Sequence, residues 1–159
     1  MALMDAKEYD PRPAQRRNRI IAAVVVAAIA VAVYLYLTRY DAEKKVINSF
    51  FHALEQKDFN TAYGIYQGDP SWQQHPQKYP NYTINQFTLD WGPSGEYGPI
   101  SNHQLDCVLE PPKKDFVAAG GVVVVVTINN RAEPRSMWVD KKTKSISDTP
   151  PILGTVVCR

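Results

Sequence analysis

IIAAVVVAAIAVAVYLYL, residues 20–37, contains no charge, amide, glycine or proline, and its reading decides how much of the chain is left to fold around a core. At 1.5 Å of rise per residue an eighteen-residue helix is roughly 27 Å long, close to the ~30 Å hydrocarbon thickness of a bilayer. Ten of the eighteen residues are Val, Ile or Leu. Each favours insertion by about 0.3–0.6 kcal/mol, so together they supply on the order of 3–6 kcal/mol. A soluble core helix is a poor alternative, because every face is apolar and too little chain remains to surround it. The competing reading is a cleavable export signal, since Ala30-Val31-Ala32 has the small-x-small form that a signal peptidase reads. The apolar run continues past that point to Leu37, which favours a retained signal-anchor.

The flanks give an orientation. Arg12, Arg16, Arg17 and Arg19 precede the run, whereas Arg39 and the mixed cluster Asp41, Glu43, Lys44, Lys45 follow it. Basic residues in a short tail resist translocation, and a long folded segment crosses largely regardless of its charge. The expected layout is a cytoplasmic basic tail over 1–19, a transmembrane helix over 20–38 contacting the lipid bilayer through 20–37, and an extracytoplasmic domain over 39–159. Tyr34, Tyr36 and Tyr40 would then lie at the far interface, with their hydroxyls in water.

The net charge of +2 divides unevenly: residues 1–39 hold six basic and three acidic side chains, and residues 40–159 hold twelve and thirteen. A nearly neutral exported part argues against a nucleic-acid partner, whose phosphates call for a basic face. About 120 residues make one domain of ordinary size, and the chain has no repeat, heptad series or low-complexity tract.

Past the apolar run, Val46, Ile47, Phe50, Phe51 and Leu54 recur at helical spacing and predict a helix over 42–56 with Asp41 as its N-cap, able to continue directly from the span. Phe59, Ala62, Tyr63 and Tyr66 predict a second helix between Asp58 as N-cap and Gly68. The proline-rich stretch from Gly68 to Tyr82 is expected to form a loop or a single helical turn. Beyond it, Phe87, Leu89 and Trp91 alternate with Gln86, Thr88 and Asp90, which predicts a strand over 84–91, a turn at GPSGEYG and a return strand over 100–109. On that return strand His103, Leu105, Cys107 and Leu109 share one face. Val122–Ile128, apolar on both faces, belongs at the sheet centre; 136–140 pairs with it, a polar hairpin leads into Ile146, and Thr155–Cys158 is placed as an edge strand. Helices first and an antiparallel sheet after them make an α+β domain.

The helix pair VINSFFHALEQKDFNTAYGIY resembles the nuclear transport factor 2-like superfamily, the cone of helices on a curved antiparallel sheet shared with ketosteroid isomerases. More closely, it is similar to uncharacterised bacterial membrane-anchored members with FF-x-AL followed by D-x-x-x-AY, here Phe50, Phe51, Ala53, Leu54, Asp58, Ala62 and Tyr63. The resemblance implies a single-pass protein of the bacterial inner (cytoplasmic) membrane, with its N-terminus cytoplasmic and its domain periplasmic or extracellular. In layout it is similar to the scaffold subunit of type IV secretion systems and to mammalian-cell-entry-associated membrane proteins, which work by binding partners. A binding or assembly module with a protein partner in the envelope is therefore the first expectation. An anchored enzyme acting on a small hydrophobic ligand in the cone cavity is the second.

The residues that bear on this choice are few. Tyr63, Tyr66, Trp72 and His103 are the candidate cavity or lip residues, with His103 in phase with the apolar positions of its strand and the two tyrosines as donors. Trp72, His75, Tyr79 and Tyr82 either form a binding lip or cover the open end of the sheet, and covering is preferred. No catalytic residue and no cofactor are assigned, and no metal site is expected, because His52, His75 and His103 lie on different elements and no ligand pair is closely spaced. Asn81-Tyr82-Thr83 is a formal glycosylation sequon, discounted for a bacterial envelope protein. Cys107 and Cys158, the two cysteines, both follow the span and are candidates for a disulfide in an oxidising compartment.

Overall fold

The structure, a computed structural model, describes residues 12–111, 120–150 and 158. It separates after Arg39 into two compact units. The first contains helix α1, Arg12–Thr38. Along it the side chains from Ile20 to Leu37 are exposed, Val26 at 66% and Leu37 at 65%, so none of the described residues covers this apolar surface. It is a helix long and apolar enough to cross a membrane.

The second unit is α+β. Helices α2 (Asp41–Glu55), α3 (Phe59–Gln67) and α4 (Ile84–Trp91) precede strands β1 (His103–Leu109), β2 (Gly121–Ile128), β3 (Arg135–Asp140) and β4 (Ile146–Asp148). The strands form an open antiparallel meander in the order β1-β2-β3-β4. Arg39 and Tyr40 make a turn, Tyr40 stands at the N-cap position, and Asp41 is the first helical residue rather than the cap. The expected apolar face of α2 is buried at Ile47, Phe50, Phe51 and Leu54, and Glu43 joins it by accepting from Lys144 Nζ at 2.6 Å.

α3 starts and stops as its sequence requires. Asp58 accepts from the Thr61 N–H at 3.0 Å, and Gly68 closes the helix at φ 65°, the left-handed conformation that favours glycine. A Cβ at Gly68 would fall 2.5 Å from Thr143 O, so this cap also lets α3 dock against the β3–β4 hairpin.

The strand expected over 84–91 is a helix. Phe87 and Trp91, four residues apart, are buried at 0% and 6%, while Leu89 between them is 60% exposed. A strand would place all three on one face; a helix separates Leu89 from the other two. The cap carries the signal that alternation obscured: Thr83-Ile-Asn-Gln86 has the spacing of a capping box, and the Thr83 side chain accepts from the Gln86 N–H. The expected hairpin with residues 100–109 is therefore absent, and β1 pairs instead with β2.

β1 brings a second correction. Leu105 pairs with Val126 and Cys107 with Val125, so Asp106 is the extra residue of a bulge. The bulge reverses the phase of the strand. His103 and Leu105 face the helices, and after the bulge it is Val108 that joins the helix-side core. Cys107 lies on the opposite face against Val123, Val125 and Trp138.

β2 is buried on both faces, as its valine run predicts. Its helix-side residues Val122, Val124, Val126 and Ile128 pack with Met137, Val139 and Ile146 beneath the aromatic layer of α2–α4. Phe50 is central to that layer, with Phe51, Phe87 and Trp91 edge-on at 5.1, 6.1 and 5.1 Å. Cys107 is disulfide-bonded to Cys158, with Cα atoms 5.9 Å apart, within the ordinary range for a bridge. This ties residue 158 to the face of the sheet away from the helices. Residues 155–157 of the expected edge strand lie outside the described residues.

Candidate functional site: an aromatic trough around Arg135

At the end of the sheet where β3 begins, the elements leave a cleft of about 490 Å³, lined by Tyr66 of α3, Asp90 and Trp91 of α4, Tyr97 of the following turn, Arg135 of β3 and Asp148 of β4. A second cleft of about 620 Å³ adjoins it, sharing Glu96, Tyr97, Arg135 and Asp148 and adding Arg131, Glu133 and Thr149. Both volumes fall in the range of small-molecule sites.

Local folding rules account for the walls. α4 must end at Trp91, because the GPSG turn folds back over its last carbonyls; a Cβ at Gly95 would collide with Asp90 O. Asn129, at φ 51°, donates through Nδ2 to Tyr97 O at 3.1 Å and Pro99 O at 3.0 Å, and its Oδ1 accepts from the Ser101 N–H at 2.9 Å. One asparagine thus fastens the whole 97–101 segment to the end of β2 and holds Tyr97 against Trp91, with ring centroids 6.0 Å apart and planes 17° from parallel. On β3, Arg135 occupies the same alternation as Met137 and Val139, which puts a guanidinium where the helix-side core meets water.

Arg135 organises the trough. Nη2 donates to Asp148 at 2.6 Å, and Nη1 donates to Glu96 at 3.3 Å and to the Tyr97 hydroxyl at 3.2 Å. Its Cζ lies 5.3 Å from the centroid of Trp91 and 5.7 Å from that of Tyr97, while Arg131 covers Tyr97 at 4.9 Å. Burial alone lowers the Arg135 pKa, but Tyr97 and Asp148 outweigh it and hold the value above its usual range. Arg135 Nε and Thr149 Oγ1 are buried without a hydrogen-bond partner among the described residues. The neighbouring phenols register the acidic side of the trough. Tyr66 is pushed up to about 12, first by burial and then by the Asp148 carboxylate. Tyr82 is also raised, by burial and then by its 2.9 Å bond to Asp90.

Of the four candidate cavity residues, Tyr66 alone lines this trough. Tyr63 is buried at 1% exposure and donates to Tyr82 O at 2.6 Å, joining α3 to the loop before α4. Trp72 is buried edge-on to Tyr63 at 4.7 Å and donates through Nε1 to Asn60 O at 3.1 Å. It also lines a separate 270 Å³ cleft beside α3. His103 stacks on Phe51 at 5.0 Å, with Nδ1 2.7 Å from Glu55 Oε1 and Nε2 3.1 Å from Asn48 Oδ1. It locks β1 to α2, and the structure does not bring it together with the tyrosines. Sequence reasoning missed Arg135, Tyr97 and Asp148. The signal it passed over was a lone arginine in phase with the apolar residues of a strand.

The loop over 68–82 folds on itself in two single turns, Trp72–Gln74 and Pro76–Lys78. Asp69 is its hub. One oxygen accepts from the Ser71 N–H and hydroxyl at 3.1 Å each; the other meets Tyr79 OH at 2.6 Å, His75 Nε2 at 2.5 Å and Lys78 Nζ at 3.4 Å. Hydrogen bonds from Tyr79 and then His75 hold its carboxyl far below the usual carboxylate range. Trp72 is in the core and Tyr79 and Tyr82 are partly buried against it, so the loop packs on the helices, and Tyr82 also lines the first cleft. Asp90 and Asp106 are both exposed.

No protein-family model matches the chain, and no curated protein or solved structure does so either.

Proposed function

We propose that this chain is a single-pass membrane-anchored binding module, whose α+β domain is exported and offers the trough around Arg135 as its ligand site. The observation that carries the anchor is the uncovered apolar length of α1, flanked before the span by Arg16, Arg17 and Arg19. Export is supported by the Cys107–Cys158 bond on the domain that follows, a linkage that persists in oxidising compartments. Together these favour an N-terminus in the cytoplasm of a bacterial cell and a periplasmic domain. Two helices of the nuclear transport factor 2-like pattern, packed over one face of a bulged antiparallel sheet, support membership of that superfamily. A binding role is favoured over catalysis because His103 is fully engaged by Glu55 and Asn48, away from the cleft that Tyr66 lines.

Protease added to the outer face of the cytoplasmic membrane tests the topology. Degradation of residues 40–159 with the tail spared is expected. Degradation from the cytoplasmic face alone refutes the reading, and a soluble exported form beginning near Val33 establishes the cleaved-signal alternative.

A further inference from the structure

Tyr40 follows the last residue of the apolar run, Leu37, by three positions, so its Cα lies within roughly 11 Å of the end of that run whatever direction the chain takes. The headgroup layer outside the hydrocarbon is about 5–7 Å deep on each side, so Tyr40 stands at the membrane surface or just beyond it. Tyr40 belongs to the domain rather than to a loose linker. It is 8% exposed, and its hydroxyl donates to Glu110 Oε2 at 2.9 Å. Lys141 Nζ donates to the other oxygen of Glu110 at 2.5 Å and lies 5.8 Å from the Tyr40 ring. One turn further on, Glu43 is buried and accepts from Lys144 Nζ. Both ties run to the β3–β4 loop, residues 141–144, which is thereby held beside the point where the chain leaves the span.

The two ends of the sheet differ in sign. At the Tyr40 end, Lys141, Lys144 and Lys44 are offset by Glu110, Glu43 and Asp41. Counting the exposed Arg39, Lys45 and Lys142 against Asp140, whose Oδ1 accepts from the Lys142 and Thr143 N–H groups, leaves an excess of two positive charges. At the trough end, Asp90, Glu96, Glu133 and Asp148 outnumber Arg131 and Arg135 by two. β3 runs from one end to the other, Arg135 to Asp140, a distance of about 17 Å and roughly two Debye lengths at physiological salt. A negative surface beside Tyr40 therefore attracts the near end and meets little of the far one.

We propose that the Tyr40 end of the domain docks on the anionic phosphate headgroups of the leaflet from which the span emerges, with Lys45 and Lys142 at the phosphates and the trough held away from the surface. An excess of two charges is too small to hold a free protein on a membrane, where clusters of about four to eight are usual. Here the span supplies the local concentration, and electrostatics has only the orientation to decide. This inference rests on the anchored reading and adds to it the surface through which the domain meets lipid.

Nuclear magnetic resonance of the full chain in lipid nanodiscs tests it, with a gadolinium-chelating lipid broadening the amides that lie at the headgroups. Nanodiscs of phosphatidylcholine alone are compared with nanodiscs containing roughly one phosphatidylglycerol in three lipids, which supplies the negative surface potential. The amides of 141–144 and of Lys45 should broaden more in the anionic discs, those of 94–98 beside the trough should not, and molar salt should abolish the difference. Lys45→Gln and Lys142→Gln should each lower the ratio of docked to free domain about fivefold, whereas Lys57→Asn, past the far end of α2, should leave it unchanged. Equal broadening of 141–144 in the two discs, or stronger broadening at 94–98 than at the β3–β4 loop, overturns the proposal. So does a ratio that neither Lys45→Gln nor Lys142→Gln alters. In each of these cases broadening at the two ends of 20–37 leaves the anchored reading in place. A chain that shows no lipid contact over 20–37 overturns that reading and the proposal with it.

Discussion

Replacing both Cys107 and Cys158 by serine should destabilise the exported domain severely. The bond closes a loop between positions 51 apart in sequence. On the chain-closure relation, a cross-link over such a loop removes denatured-state entropy worth about 4 kcal/mol at room temperature. For a domain of this size a urea dependence of about 2 kcal/mol per M converts that into a midpoint lowered by roughly 2 M. Trp138, 8% exposed on the same sheet face as Cys107, supplies the fluorescence signal. Urea titration of the oxidised chain, the reduced chain and the double-serine variant should give one high midpoint and two similar low ones. Equal midpoints for all three would refute the reasoning, as would two free thiols per chain in the unfolded, unreduced protein.

Other substitutions test separate parts of the account. Phe87→Ala should cost about 3–5 kcal/mol, because it empties a fully buried ring site, whereas Leu89→Ala should stay within about 0.5 kcal/mol; similar costs at both positions in urea titrations would restore the strand reading. Gly68→Ala should destabilise by more than about 1 kcal/mol, since it loads both a positive φ and a contact with Thr143 O, and a neutral effect on the midpoint would contradict the cap. The Asp69 carboxyl titrates lower folded than unfolded, so its contribution is complete above the ordinary carboxylate pKa of about 4 and fades as pH falls through the depressed folded value. Amide protection over 68–82, corrected for the intrinsic exchange rate, should therefore fall in acid. Asp69→Asn should show fast exchange already at neutral pH, and slow exchange there would remove Asp69 from its role as hub.

What could be read in advance was whatever local chemistry alone determines. The uncharged run of α1, the Asp58 cap, the Gly68 stop and the doubly apolar β2 each follow from a few neighbouring residues, and the structure has all four. α4 was misread because Phe87, Leu89 and Trp91 alternate while only Phe87 and Trp91 have helical spacing, and eight residues are too few for the period to decide. The Thr83–Gln86 cap was the better guide. The side-chain phase of β1 was lost at Asp106, since a bulge is set by pairing with β2 and leaves no mark in the strand's own sequence. The trough was hidden for a related reason. Tyr66, Asp90, Tyr97, Arg135 and Asp148 come from five segments, and only the meander and the Asn129 clamp bring them together.

The claim on which the rest depends is that residues 40–159 cross the membrane while the tail stays behind. The chain carries its own reporter: Asn81-Tyr82-Thr83 is a formal glycosylation sequon with Asn81 exposed, well past the span. Synthesis in the presence of microsomal membranes, with a second acceptor engineered within residues 2–6, forces a choice between the two ends. Modification at Asn81, abolished by Asn81→Gln, with the tail acceptor untouched, is the predicted result. Modification of the tail with Asn81 untouched would contradict the account.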